Sequence, residues 1–389
     1  MRSWIRDISF SSVVAGFVAV LVGYTSSVAI VFRAAEAVGA MPAELASWMW
    51  ALGLGMGLTS LLLSWHSRQP ILTAWSTPGA ALIAGTSGIA MPDAIGAFVV
   101  CGTLILVCGL TRAFERVMDR IPMAVAAALL AGVLCRFALE AVLSTTSAPA
   151  IVLPMAAAYL LARRYLPRYA VPLVLLVGVG AALIAGRIHA EAVSWVWAQP
   201  VWTTPRFSPA AIVGLAVPLF LVTMASQNLP GVAAQRASGY QTRISASITT
   251  TGIATVVLAP FGGYTFNLAA ITAVICMGRE AHEDPQRRYT AAMVAGLLYI
   301  ALGLAGGAVA GLLLAFPREL VAAIAGLALL GTIASGLVAA FKEEAHRDAA
   351  VITFVVTLSG VSAFGIGSAF WGVVVGLTAT LLAKSSPRH

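Results

Sequence analysis

Two adjacent amides, Gln227 and Asn228, stand in the middle of a long apolar run, FLVTMASQNLPG. Buried amides commonly bridge transmembrane helices, but two in a row cannot both face one neighbour, and Pro230-Gly231 loosens the helix just after them. Polar groups at such depth are usually functional, so both are read as ligands for a polar solute. Thr77, Gly79, Thr265 and Asn267 fall where two further apolar runs restart after a break, and Thr and Asn there either cap a helix start or contact a ligand. A capped terminus still presents free amides, so the two roles are compatible. Ser76 and Tyr264 flank these positions, with their face undetermined because extended segments alternate faces. Tyr24, Thr25 and Ser26 interrupt the first apolar run; Tyr24 is the better candidate to line a site, while Thr25 and Ser26 could equally be packing hydroxyls. Phe266 and Trp75 could hold an aromatic ring by offset or edge contacts, or simply pack.

The chemistry these residues offer is hydrogen bonding without a formal charge. Arg136 and Glu140, four apart on one helical face, are expected to pair with each other or to snorkel to an interface. No paired carboxylates, nucleophile–base pair, metal-ligand spacing or phosphate loop falls within the apolar runs, so neither an enzyme nor a cofactor is expected. Cys101, Cys108, Cys135 and Cys276 sit inside apolar runs and read as small buried hydrophobes.

The elements that must position these groups follow from composition. Of 389 residues, 60% are hydrophobic and 10% charged, against about 25% charged in soluble domains. The mean hydropathy is +0.94. Apolar blocks near the roughly 20 residues needed to cross hydrocarbon recur along the whole chain. The expected spans are 9–32, 43–65, 70–86, 93–111, 121–142, 149–163, 169–187, 208–232, 242–260, 261–277, 288–314, 318–341, 348–365 and 366–384. The expectation is an all-α polytopic membrane protein of fourteen segments. The basic residues test this count: eighteen of the 23 Lys and Arg residues fall on one side of the alternation, which places both termini in the cytoplasm. Nucleic acid is not an expected partner, because the positive charge is scattered between apolar blocks. The N-terminus lacks the pattern of a cleaved signal, so the first span is expected to stay in the mature chain. WVWAQPVW (195–202) reads as an interfacial aromatic stretch joining two halves.

Segments 3 and 10 (ILTAWSTPGAALIAG and FGGYTFNLAAITAVI) each begin extended and then turn helical. Pro78 suits a first helical position and pushes Thr77 toward extended geometry; Gly262-Gly263 plays the breaking role in segment 10. Each is expected to be a short strand followed by a half-helix. The halves repeat weakly. Phe17, Tyr24 and Arg33 match Phe220, Gln227 and Arg236 at an offset of 203, STPGAA (76–81) matches YTFNLA (264–269) at 188, and Ala131-Gly132 matches Ala325-Gly326 at 194. Seven spans per half make the second half insert upside down, giving 7+7 inverted repeats over 1–189 and 207–389. Two half-helix N-termini meeting near the midplane would make an anion site from dipoles alone.

TAWSTPGAAL (73–82), PLFLVTMASQNLPG (218–231), AAITAVIC (269–276) and GIGSAFWG (365–372) resemble the benzoate–proton symporter family (BenE type). The similarity runs from AGFVAVLVGYTSS (15–27) to the last span. The resemblance implies a uracil-permease-like fold, with a core domain of segments 1–4 and 8–11 and a gate domain of segments 5–7 and 12–14. It places the substrate between segments 3 and 10, flanked by 1 and 8. Relatives of the uracil-permease type carry carboxylates on segments 8 and 10, where this chain has Gln227-Asn228 and Asn267. That favours an anionic substrate over a nucleobase. The implied function is proton-coupled uptake of a small aromatic carboxylate such as benzoate across a bacterial-type inner membrane. A small-anion carrier or exchanger of the sulfate-permease type and a nucleobase permease are the alternatives. The expected partners are therefore the carboxylate, a proton and the lipid bilayer. A homodimer is compatible with the sequence, which does not itself fix the oligomeric state.

Overall fold

A computed structural model describes residues 4–86, 88–166, 169–188, 198–241, 243–305, 316–361, 363 and 368–385. Residues 195–197 of the aromatic stretch and Phe364–Gly367 lie outside the described residues, as do the side chains of Thr25 and Ser26. The described chain is a bundle of helices around one small sheet. In order they are α1 (Phe10–Ala37), α2 (Pro42–Ser67), β1 (Thr73–Trp75), α3 (Thr77–Ala84), α4 (Met91–Leu110), α5 (Ala113–Met118), α6 (Met123–Ser147), α7 (Pro149–Tyr165) and α8 (Ala170–Ile184). The second half holds α9 (Pro209–Ala237), α10 (Ile244–Leu258), β2 (Phe266–Leu268), α11 (Ile271–Met277), α12 (Tyr289–Ala305), α13 (Arg318–Ala340), α14 (Arg347–Ser359) and α15 (Ser368–Ser385).

The chain is a membrane protein. Among the described residues, six helices are long and apolar enough to cross a bilayer: α2, α4, α6, α9, the stretch Ile244–Phe261 and the stretch Pro285–Ala305. Large aliphatic side chains face outward, Ile184 at 91% and Val338 at 73% exposure, while hydroxyls such as Ser60, Ser64, Thr251 and Thr255 are buried. This distribution suits a hydrocarbon surround, in which small and hydroxylated residues mediate helix contact. Gly53 of α2 is one such contact: a Cβ there would lie 2.6 Å from Gly303 Cα of α12, so the two backbones meet directly. The strongest helix pairings are α2 with α12, α4 with α10 and α6 with α13.

At both expected places the chain runs as a strand and then a short helix. The strands pair antiparallel, Thr73 with Leu268, Ala74 with Asn267 and Trp75 with Phe266. Backbone away from water needs internal partners for every polar group, and neighbouring side chains supply them. On the β1 side, Ser60 Oγ accepts from the Thr73 N–H at 3.0 Å and Ser64 Oγ from the Ile71 N–H at 3.1 Å, both from α2. On the β2 side, Thr255 Oγ1 of α10 accepts from the Phe266 N–H at 3.1 Å, and Asn228 Oδ1 of α9 from the Leu268 N–H at 2.9 Å.

Two sequence expectations are corrected. Thr265 and Asn267 do not start a half-helix; Thr265 precedes β2, Asn267 is its central residue, and α11 begins only at Ile271. The two strand–helix units therefore correspond at 193–194, not 188, because Gly262 (φ +97°) and Gly263 end the preceding helix and two further residues run before the strand. The loosening of the helix around Pro230 lies before the proline. α9 widens into π turns at Ile212–Ala216 and Met224–Asn228, each just ahead of a proline, Pro218 or Pro230, that has no N–H to donate.

Candidate functional site

A cavity of about 70 Å³ lies beside the strand pair, where α1, β1, α3, α6, α9, α11 and α12 converge. Its polar lining comes from Tyr24, Ser27, Thr77, Gln227, Thr272 and Tyr299, its aromatic lining from the two tyrosines with Trp75 and Phe137. Among the described residues, no charged side chain lines it.

Three of the four aromatic rings, from α1, β1 and α12, touch one another. Tyr24 of α1 is 1% exposed and meets Trp75 of β1 edge-on at 4.9 Å and Tyr299 of α12 stacked at 6.0 Å. Trp75 is fixed because its Nε1–H donates to Ser27 Oγ at 2.9 Å, and Ser27 donates to the Gly23 carbonyl at 2.8 Å. Gly23 leaves room for this group, since a Cβ there would stand 3.0 Å from the Tyr299 hydroxyl. The Tyr24 hydroxyl is buried in the wall with no hydrogen-bond partner among the described residues.

The adjacent amides divide, as their adjacency requires. The π turn at Met224–Asn228 turns Gln227 into the cavity and leaves Asn228 fully buried, where Oδ1 holds the Leu268 N–H and Nδ2 contacts Met224 Sδ. Ser76 is also engaged as an acceptor within the protein. Its Oγ accepts from the Gly79 N–H at 3.1 Å, capping α3, and from Thr223 Oγ1 at 2.9 Å, tying α3 to α9. Its carbonyl accepts from the Tyr264 hydroxyl at 3.1 Å. The cap is thus Ser76, and Thr77 is left to line the cavity. At α11 the position before the helix is Ala270, which has no side chain to cap with, so the first amides of α11 stand uncapped beside the cavity at Ala270, Ile271 and Thr272.

Of the residues singled out from sequence, Tyr24, Thr77, Gln227 and Trp75 come together on the cavity wall. Gly79 packs against α9, where a Cβ would fall 2.7 Å from Leu219 Cδ1. Tyr264 is buried against Trp48 and Phe98, and Phe266 is buried against Gly55 of α2, away from the cavity lining. Thr265 and Asn267 are fully buried outside the lining, and each keeps one side-chain oxygen without a partner. Residues missed by sequence reasoning are Ser27, Phe137, Thr272 and Tyr299. Tyr299 is the one with a legible signal, a lone phenol inside the apolar run GLLYIALGLA.

A second, wider cavity of about 590 Å³ adjoins the first and shares Phe137, Gln227, Ala270 and Ile271 with it. Its outer wall carries Arg136 and Glu140, both exposed. The expected pairing of these two is not found: no ion pair joins them among the described residues.

A family model described as benzoate membrane transport protein matches residues 6–382. The inner membrane protein YdcO of Escherichia coli strain K12 is 46% identical over 366 residues, covering 94% of each chain. The benzoate membrane transport protein of Acinetobacter baylyi is 38% identical over 375 residues, covering 96% of this chain and 95% of that one. Among solved structures, the murine Slc26a9 anion transporter in the inward-facing state aligns with a TM-score of 0.50 at 11% identity, over 98% of this chain and 70% of that one. This last likeness concerns the fold alone.

Proposed function

The chain belongs to the benzoate membrane transport protein family, and we propose that it imports an aromatic carboxylate together with a proton by alternating access. The observation that carries this reading is the uncharged cavity beside the strand pair, in which aromatic rings, the Gln227 amide, the Tyr24 hydroxyl and the uncapped start of α11 converge. Rings of Tyr24, Trp75, Phe137 and Tyr299 offer apolar faces and edges to an aromatic body. The amide, the hydroxyl and backbone N–H groups offer donors to a carboxylate, each bond to a charged group contributing roughly 1.5–3 kcal/mol. A small inorganic anion would use the donors and leave the aromatic wall without a partner, which favours the aromatic substrate over the anion-carrier alternative.

Proton coupling follows from charge. An anion entering an inside-negative cell works against about 2.3 kcal/mol per 100 mV, and one accompanying proton makes the step electroneutral. Among the described residues, no Asp, Glu or His lines the smaller cavity. The proton is therefore assigned to the bound substrate, whose carboxyl pKa burial would raise.

The architecture proposed for this transport is fourteen membrane segments in two inverted repeats, α1–α8 without the short α5, and α9–α15. The pairing of helices supports it: exchanging the halves converts the α2–α12 contact into α10–α4, and the α7–α8 contact into α14–α15. The core domain would comprise α1–α4 with α9–α12, and the gate α6–α8 with α13–α15. Both termini are assigned to the cytoplasmic face of the inner membrane. In support, described ion pairs stay within one side of the charge alternation, Arg68–Asp7, Arg163–Glu280 and Arg236–Asp119 on one, Arg187–Glu319 and Arg206–Asp93 on the other. Uptake of labelled benzoate, sulfate and uracil into proteoliposomes under an imposed pH gradient tests the function. Gradient-dependent accumulation of benzoate alone is expected; accumulation of sulfate or uracil in its place would refute the reading.

A further inference from the structure

Among the described residues the smaller cavity has donors but no cation, so no formal charge there attracts an anion from a distance. The wider cavity does. Among the described residues Arg136 is the one basic residue lining either space, and it stands one residue from Phe137, which borders both. Two features fit it for capture. It is exposed on the cavity wall with no carboxylate of the described chain within ion-pair distance. Its guanidinium also rests against Gly360, the residue that ends α14 at φ +70°, where a Cβ would lie 2.7 Å from Arg136 Cζ. Any other residue at 360 would be strained by its backbone and would displace the guanidinium. Arg136 is thus seated across the groove between α6 and the end of α14, with the route inward past Phe137 and Gln227 leading to the smaller cavity.

We propose that Arg136 is a capture station for the substrate carboxylate, occupied before the substrate moves to the uncharged cavity. On the orientation given above, this station lies on the outer side. The inference rests on the proposed function in that its ligand is the transported carboxylate. A guanidinium suits the task because its planar fork matches a carboxylate in two parallel hydrogen bonds. A fixed positive charge at a cavity mouth also raises the local concentration of anions and the rate of encounter, an effect that salt suppresses. Glu140, one helical turn further along the same wall, opposes that attraction and tunes it.

The test is labelled-benzoate uptake into proteoliposomes by wild type, Arg136→Gln, Arg136→Lys and Glu140→Gln, at low and high ionic strength. For Arg136→Gln the KM is expected to rise about tenfold or more, with a smaller change in the maximal rate. Wild-type uptake at low benzoate should fall as salt rises, and Arg136→Gln should lose that dependence. Arg136→Lys should retain the salt dependence with an intermediate KM, which a merely structural arginine would not predict. Glu140→Gln should lower the KM, and this arm carries the test if Arg136→Gln does not fold. Benzoate-induced thermal stabilisation at saturation should persist in Arg136→Gln, because the inner cavity is untouched. A wild-type KM and salt response in Arg136→Gln, or an unchanged or raised KM in Glu140→Gln, would overturn the station. Absence of benzoate transport by the wild type would instead overturn the functional reading beneath it.

Discussion

The Tyr24 hydroxyl offers a test in which stability and affinity move in opposite directions. It is 1% exposed, lies in the cavity wall and has no hydrogen-bond partner among the described residues. Burying an unbonded hydroxyl costs about 1–3 kcal/mol. Tyr24→Phe removes that oxygen while keeping the ring that meets Trp75 at 4.9 Å and Tyr299 at 6.0 Å. The substrate-free variant should therefore melt at the wild-type temperature or above it. If the hydroxyl donates to the substrate carboxylate, its loss removes a charge-assisted bond worth about 1.5–3 kcal/mol, a roughly ten- to hundredfold weaker Kd. Thermal melting of the purified protein with and without benzoate, alongside equilibrium binding of labelled benzoate, measures both quantities. A variant that melts several degrees lower and binds benzoate with unchanged affinity would refute the reasoning, since the hydroxyl would then serve the fold and not the ligand.

Gln227→Glu should impair benzoate uptake more than Gln227→Ala, because a carboxylate at about 4 Å from the substrate's own costs on the order of 4 kcal/mol at an effective dielectric of 20; equal or better uptake by the acidic variant in proteoliposomes would sink the anion model. Asn228→Leu should lower stability by about 1–3 kcal/mol, since the Leu268 N–H loses its acceptor, and denaturation in detergent that matches wild type would show that this bond is not structural. For the topology, single cysteines replacing Arg116 and Arg243 should react with an impermeant thiol reagent only from the cytoplasm, and one replacing Arg318 only from outside. Labelling of the first two in intact cells would contradict the assigned orientation.

The divided fates of Gln227 and Asn228 show which part of the site a sequence can carry. Their types and depth marked the place, and adjacency on a helix ruled out a shared direction. Which of them faces the cavity follows the π turn at Met224–Asn228, just ahead of Pro230, which has no N–H to donate. The proline is visible in the sequence, but the side on which the helix widens is not. Phe137 reaches the cavity only through the packing of α6 and, as a single aromatic in an apolar run, carries no address; the lone phenol of Tyr299 is visible in the sequence, but its place beside Tyr24 depends on the packing of α12 against α1. Likewise the spacing of Arg136 and Glu140 permits a pair, and the structure instead seats the guanidinium over Gly360, 224 residues away.

The two strand–helix units explain why one half of the centre was legible and the other was displaced. In the first, two independent signals mark the helix start, the Ser76 cap and Pro78, which lacks an N–H; Thr77, expected to be extended and to leave Pro78 as the first helical residue, is itself the first residue of α3, with Pro78 second. In the second, the only punctuation is Gly262-Gly263, and it marks the end of the helix before, four residues upstream of β2. The helix start at Ala270-Ile271 has no cap and no proline, so aligning the units by their polar residues put Thr265 and Asn267 six residues too early. The missing signal has a chemical consequence. A capped start, as at Ser76, has one of its amides already bonded, whereas the uncapped start of α11 leaves its first N–H groups for whatever enters the cavity beside Ile271 and Thr272. The feature that hid this terminus from sequence reading, a start without a side-chain cap, is also what sets it apart from the start of α3.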